Sequence, residues 1–189
     1  MILVKNLEYR RDDKIILQNL SFAVQSGSGL VITGANGTGK TTVLKILAGL
    51  LVPTLGKIER PEDILYIGHK NAMKEEFSVL ENLKFWAGLA GNELLVPAAL
   101  SYFQLEDYMD LPHKALSHGL QRRVALARLI LSPRETWLLD EPFAHIDNET
   151  AKCLRNLIIT RTEQGGIVIL SSHQPVDLPF GELGLGSGD

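Results

Sequence analysis

Apolar residues occur along the chain as short continuous runs that alternate with segments of helical spacing, which predicts an α/β protein. Residues 2–9 and 20–24 are predicted strands of a small N-terminal antiparallel β subdomain, joined through a charged turn. Four further runs are apolar on both strand faces, as in a parallel sheet that helices cover: residues 30–33, 64–67, 136–139 and 167–170.

Helical spacing dominates residues 78–131 and returns over about 148–162. The predicted organisation is therefore a single domain over 1–189, with a mainly parallel sheet and a helical subdomain inserted over about 70–132. The Gly-rich tail, residues 181–189, is expected to be loosely ordered.

Composition narrows the class of protein without deciding its chemistry. With 45% hydrophobic residues among 189, the chain can bury a core of its own. A net charge of −3 gives no basic field, so we expect no nucleic-acid partner. The single cysteine, Cys153, excludes an internal disulfide framework. No apolar run approaches the roughly 18 residues that a membrane-spanning helix needs.

The octapeptide at 34–41, Gly-Ala-Asn-Gly-Thr-Gly-Lys-Thr, matches the phosphate-loop pattern G-x-x-x-x-G-K-[ST]. An apolar strand run precedes it and helical spacing follows it over 43–48, which is the context of a P-loop NTPase core. Glycines let successive backbone N–H groups surround a phosphate, and the helix N-terminus adds its positive end. The predicted nucleotide-binding residues here are Gly34, Ala35, Asn36, Gly37, Thr38, Gly39, Lys40, Thr41 and Thr42.

Two carboxylates complete the predicted chemistry, because Asp140 and Glu141 directly follow the strand run 136–139. Lys40 is expected to reach the β- and γ-phosphates, and Mg²⁺ is assigned to the Thr41 hydroxyl and Asp140. Glu141 is the candidate for polarising the attacking water. A solvated acidic pair is the alternative, which the preceding apolar residues disfavour. Since no Asn-Lys-x-Asp sequence is present, ATP is expected rather than GTP.

With these motifs the chain resembles the ATP-binding-cassette (ABC) ATPases over nearly all of its length. Residues 116–123, Leu-Ser-His-Gly-Leu-Gln-Arg-Arg, occupy the place of that family's signature, Leu-Ser-Gly-Gly-Gln. Asp147 matches the family's D-loop, and His173 matches its switch histidine.

The resemblance implies a head-to-tail dimer in which ATP lies between one phosphate loop and the other copy's signature. Ser117 and Gly119 of that second copy are then expected to contact the γ-phosphate. His173 is implied to act beside Glu141 in hydrolysis.

Less general residues resemble the ATPase subunit of the bacterial cytochrome c maturation (haem-handling) complex. That narrower resemblance implies an integral inner-membrane partner, a location at the cytoplasmic face of that membrane, and ATP hydrolysis that supports haem delivery. An ATPase for another cargo and a slow nucleotide-dependent regulatory clamp remain the alternatives. The matching residues are 66–69, Lys74, 81–86, 121–129 and 169–174.

Some positions depart from the general ABC pattern. His69 stands where most members have a strand-end Gln, and the adenine-stacking aromatic is replaced by Arg11, with Tyr9 as the second candidate. In the signature, His118 replaces a Gly and Leu120 replaces the Gln. A positive φ at His118 is expected to be costly, and both signature changes predict slower turnover without loss of ATP binding.

Overall fold

The structure, a computed structural model, describes residues 1–186, and residues 187–189 of the Gly-rich tail lie outside them. The chain divides into two compact units. The sheet unit contains Met1–Gly68, Glu135–Pro142 and the chain from Ile158 onward. The helical unit contains His69–Arg134 and Phe143–Leu157, so it includes the whole segment 70–132 that is predicted as a helical subdomain.

The sheet unit holds a three-stranded antiparallel sheet in the order β2-β1-β4 and a five-stranded sheet in the order β5-β6-β7-β3-β8. Every pairing in the second sheet is parallel. The elements are β1 (Ile2–Arg11), β2 (Lys14–Val24), β3 (Ser28–Thr33), α1 (Lys40–Leu47), β4 (Leu55–Glu59), β5 (Ile64–Ile67), β6 (Thr136–Leu139), β7 (Ile167–Ser172) and β8 (Gly181–Gly184).

The core of the sheet unit explains why the central strands are continuous apolar runs. Every residue of β6 and β7 is buried, because both faces of these strands are covered. One cluster joins Ile2 of β1, Leu44 of α1 and Ile169 of β7, so the antiparallel strands, α1 and the parallel sheet share a core. The predicted α/β fold, with its parallel sheet and small antiparallel subdomain, is confirmed.

The helical unit contains α2 (Val79–Ala90), α3 (Val96–Tyr102), α4 (His118–Leu131) and the first part of α5 (Asn148–Glu163). One 3₁₀ turn lies between α2 and α3, and two lie between α3 and α4. Ser78 caps α2 through a capping box with Glu81, in which each side chain accepts from the other residue's backbone N–H. Among the described residues, no helix has the length and apolar character to span a membrane.

Two sequence predictions about strands are wrong. Strand β2 begins at Lys14 rather than at 20, because Asp12, at φ 53°, closes a two-residue turn directly after β1. Register shifts interrupt the pairing of β1 with β2, and they hide the alternation that identifies a strand. In the tail, Gly181–Gly184 is not loose but pairs with β3, since ladder hydrogen bonds need only the backbone.

Asn82, only 1% exposed, secures the segment before α2. Its Oδ1 accepts from the Lys74 N–H at 2.8 Å, and its Nδ2 donates to the carbonyls of Lys74, Phe77 and Ser78 at 3.0–3.2 Å. The Asn82 amide is thus the partner of the Lys74 N–H, and it adds a second donor to three carbonyls that also accept from the backbone N–H groups of Phe77, His113 and Asn82.

We expect Asn82→Ala to lower the free energy of unfolding by about 2–4 kcal/mol, because a buried amide that connects four backbone groups is lost and the Lys74 N–H loses its partner. Urea unfolding followed by circular dichroism measures the change. Lys84→Ala, at an exposed position of the same helix, is the control and should change stability by less than about 0.5 kcal/mol. Equal losses in the two variants would contradict the assignment.

Candidate functional site

The phosphate loop connects the end of β3 to the start of α1, and two of its glycines are required by close contacts. A Cβ on Gly34, at φ 147°, would lie 2.6 Å from the Leu185 carbonyl oxygen. A Cβ on Gly39, at φ 100°, would lie 2.7 Å from a methyl carbon of Leu17. Backbone conformation and lack of space therefore both require glycine at these two motif positions.

The other predicted loop residues form the exposed rim of this turn and the first turn of α1. Ala35, Asn36 and Gly37 are exposed, and the Thr38 hydroxyl donates to the Ala35 carbonyl at 3.0 Å. Thr42 is half-buried in the helix. The exposed loop backbone and the N-terminus of α1 have the form of an anion-binding site.

Lys40 carries a buried charge at the mouth of the loop, with the residue 6% exposed. Its ammonium donates to the Gly34 and Ala35 carbonyls at 2.7 and 3.0 Å. It also lies 3.6 Å from Glu141 Oε1. Because buried charge is costly unless paired, these partners keep the cation in the loop.

Thr41 and Asp140 meet although 99 residues separate them in the chain. The Thr41 hydroxyl lies 3.1 and 2.9 Å from the two Asp140 carboxylate oxygens. Mg²⁺ prefers oxygen ligands and is usually held by one or two carboxylates together with phosphates and water. One hydroxyl and one carboxylate are fewer ligands than Mg²⁺ takes, so this pair would hold the ion together with phosphate oxygens and water. Among residues 1–186 no group of three or more His, Cys, Asp or Glu residues suits a metal.

Glu141 lies beside Asp140, and its carboxylate connects two predicted site residues. Its Oε2 is 2.9 Å from His173 Nδ1, while its Oε1 faces the Lys40 ammonium. An ionised carboxylate only accepts hydrogen bonds, so His173 Nδ1 is the donor. The side chain of Glu141 is 17% exposed and that of His173 is 43% exposed, so both remain accessible to water.

The signature residues lie in the helical unit at the start of α4. Ser117 is the N-cap, and its hydroxyl accepts from the Leu120 N–H at 3.3 Å. His118 is the first helical residue and does not have a positive φ, so the cost of a left-handed backbone does not arise at this position. A Cβ on Gly119 would lie 3.0 Å from the His145 carbonyl oxygen, which favours glycine there.

The predicted D-loop residue Asp147 is bound from two sides. Arg123 of α4 forms an ion pair with it, and the Thr150 N–H donates to it at 2.8 Å at the start of α5. The backbone hydrogen bond from Thr150 and then the Arg123 guanidinium lower the pKa of Asp147 from 3.8 to about 2. Asp147 therefore stays ionised at neutral pH and ties α5 to α4.

The matching family model is described as "ABC transporter" and covers residues 17–144. The chain belongs to the ABC transporter family. It is 41% identical to the cytochrome c biogenesis ATP-binding export protein CcmA of Wolbachia pipientis wMel, over 94% of this chain and 91% of that protein. The CcmA of Rhizobium meliloti (strain 1021) is 40% identical over 93% and 92% of the two chains. Both resemblances inferred from the sequence, the general and the narrower one, are thereby confirmed.

Solved structures agree on the ABC fold. A putative ABC transporter ATP-binding protein from Pyrococcus furiosus has a TM-score of 0.85 at 27% identity, over 97% of this chain and 96% of that chain. A dimeric ATP-binding cassette in a post-hydrolysis state, bound to ADP and Pi, has a TM-score of 0.79. Its identity is 23% over 92% of this chain and 88% of that chain, so it supports the fold alone.

The positions that depart from the general ABC pattern differ in their surroundings. Tyr9 is partly buried and packs against the core cluster of the sheet unit, whereas Arg11 is exposed at the end of β1. Arg11 is therefore the freer of the two candidates for the adenine ring. His69 is exposed, two residues after the end of β5.

Sequence reasoning missed Ser171 as a site residue. It is fully buried, and its hydroxyl bonds both to the Asp140 carboxylate and to the Glu141 amide. The sequence feature that could have indicated it is a hydroxyl residue at the end of an otherwise apolar strand, β7.

We expect Lys40→Ala to weaken ATP binding about 10- to 100-fold, because a charge-assisted hydrogen bond is worth roughly 1.5–3 kcal/mol. Titration with a fluorescent ATP analogue measures the dissociation constant. Lys45→Ala, at the end of the same helix, is the matched control and should bind normally. Identical affinities for the two variants would remove Lys40 from the phosphate site.

Proposed function

We propose that this chain is the ATP-hydrolysing subunit of a membrane complex that handles haem in cytochrome c biogenesis. The observation that carries the hydrolytic part is the Glu141 carboxylate held between Lys40 and His173, next to the Thr41–Asp140 pair. The biogenesis part is supported by relatives of 38–41% identity that are named cytochrome c biogenesis ATP-binding export proteins.

In the proposed reaction, water attacks the γ-phosphorus of ATP in line with the leaving ADP oxygen. Glu141 orients that water and takes its proton, and the His173 Nδ1–H holds the carboxylate in place. Lys40 and the loop amides stabilise the charge on the transferring phosphoryl group. Mg²⁺ held by Thr41 and Asp140 supplies further neutralisation of phosphate charge when it is bound.

Ser117 and Gly119 are proposed to act on the ATP of a second copy in a head-to-tail dimer. Ser117 caps α4, so its hydroxyl and the N-terminus of the helix offer donors suited to a γ-phosphate. We further propose an integral inner-membrane subunit as partner, which places the chain peripherally on the cytoplasmic face of that membrane. No nucleic-acid partner is proposed.

The second candidate function is a nucleotide-dependent clamp that turns ATP over slowly. His118 and Leu120 favour it, because they replace two residues of the signature. The intact contact between Glu141 and His173 favours hydrolysis.

Co-purification with the membrane subunit, followed by an absorbance scan for a haem Soret band, tests the proposed cargo. A haem signal that depends on the intact complex is expected. An active complex without haem would instead indicate an ATPase for another cargo.

We expect Glu141→Gln to retain ATP binding but to lower turnover by at least about 10²-fold, a typical loss for a general base. The variant should also accumulate an ATP-bound dimer, because ATP that is not hydrolysed keeps favouring the dimer by linkage. Phosphate release and analytical ultracentrifugation with and without Mg-ATP measure the two effects. Glu76→Gln, at an exposed site of the helical unit, is the matched control. Near-normal turnover would remove Glu141 from this role.

We expect the double change His118→Gly and Leu120→Gln to raise ATPase activity several-fold, because it recovers a hydrogen bond to a charged group. The gain is limited to several-fold because only part of that contact is realised in the transition state. The new glycine would leave the first turn of α4 open to phosphate, and the new glutamine would return an amide. Nucleotide affinity of the monomer should hardly change, because these residues act across the dimer. Steady-state phosphate release measures the gain, and unchanged or slower turnover would show that the native residues contact the γ-phosphate in their own way.

A further inference from the structure

Ser171 lies at the point of the parallel sheet where the three functional strands end. It pairs with Ile32 of β3 on one side, and the preceding residue, Leu170, pairs with Leu139 of β6 on the other. Asp140 directly follows Leu139, so the register brings Ser171 next to it. Ser171 is 0% exposed, so its hydroxyl is away from bulk solvent and needs partners in the interior.

The hydroxyl of Ser171 makes two hydrogen bonds of defined direction. It lies 2.7 Å from Asp140 Oδ1 and 2.9 Å from the Glu141 nitrogen. A backbone N–H can only donate and an ionised carboxylate can only accept, so the hydroxyl accepts from Glu141 and donates to Asp140. One side chain therefore fixes the carboxylate of the first acid and the backbone of the second.

The backbone conformation of Glu141 shows why its contact with the Ser171 hydroxyl matters. Glu141 has a φ of 47°, a left-handed conformation that is strained for a non-glycine residue and persists only where neighbouring groups hold it. The Ser171 hydroxyl binds the N–H of that same residue. Its carboxylate is thereby directed toward Lys40 and His173, whose contacts set the position of the proposed base.

We infer that Ser171 is a positioning residue for ATP hydrolysis, which couples Asp140 to the strained backbone of Glu141 through one buried hydroxyl. The inference rests on the proposed hydrolytic function. Ser171 acts through the two acids and has no contact of its own with the reacting atoms. Its loss should therefore lower kcat more than it raises KM for ATP.

The test compares Ser171→Thr with Ser171→Val in the full chain, because the two new side chains have nearly the same shape and only Thr keeps the hydroxyl. We expect Thr to retain most of the wild-type kcat and Val to lose at least about tenfold, with KM for ATP within about twofold. Ser171→Ala, which adds no volume, should lose kcat like Val. If the larger side chains of Thr and Val prevent folding, the comparison of Ser171→Ala with the wild type replaces the comparison of Thr with Val.

Two controls separate positioning from stability. Thr162→Val removes another buried hydroxyl of the sheet unit, one that donates to the Ile159 carbonyl, and should leave kcat unchanged. In a Glu141→Gln background the difference between the Thr and Val variants should shrink at least about threefold, since the Ser171 contact then positions no base.

The possible outcomes are distinguishable. A wild-type chain that does not hydrolyse ATP, alone or with its membrane partner, would overturn the proposed function. An active wild type with equal kcat in folded Thr and Val variants of Ser171, or in Ser171→Ala and wild type, would overturn this inference alone. A difference between Thr and Val that persists unchanged in the Glu141→Gln background would also overturn it, because the hydroxyl would then not act through Glu141.

Discussion

Parallel pairing of β3, β6 and β7 is the constraint on which the site depends. In a parallel sheet the carboxyl ends of neighbouring strands lie at one edge, so whatever follows each strand is brought together. Here β3 leads to the phosphate loop, β6 to Asp140 and Glu141, and β7 to His173. Three segments far apart in the chain thereby supply a cation, two carboxylates and an imidazole to one place.

Bringing those charges together is stable only because each has partners. Lys40 and Asp140 are almost fully buried, and neither charge is isolated. Lys40 binds loop carbonyls and faces Glu141, while Asp140 receives the hydroxyls of Thr41 and Ser171. A charge in such surroundings would be very costly without these contacts, so the network that prepares the site for phosphate also permits its burial.

In the helical unit, the signature segment at the start of α4 is held by a helix cap and an ion pair. Ser117 begins α4 as an ordinary N-cap, and the ion pair of Arg123 with Asp147 links that helix to the start of α5. The presence of His118 in the signature therefore leaves the helix start intact. The altered signature is therefore a change of the side chains at a helix N-terminus, without a left-handed backbone at His118.

Local patterns were sufficient for the phosphate loop and the central strands. Gly34, Lys40 and Thr41 form a contiguous motif between an apolar run and a helical segment, and the all-buried strands β6 and β7 have no alternation to misinterpret. Strand β8 was not predictable in this way, because Gly-rich backbone pairs without any side-chain signal.

By itself the sequence determined the family and the type of each central element, since these depend on short contiguous patterns. Only the tertiary structure decided that Ser171 joins Asp140 to Glu141 and that Glu141 adopts a left-handed conformation. Those facts depend on strand register and on which atoms meet across the sheet. No local stretch of residues specifies the register or these contacts, because partners about 30 residues apart in the chain are selected by the packing of the whole core.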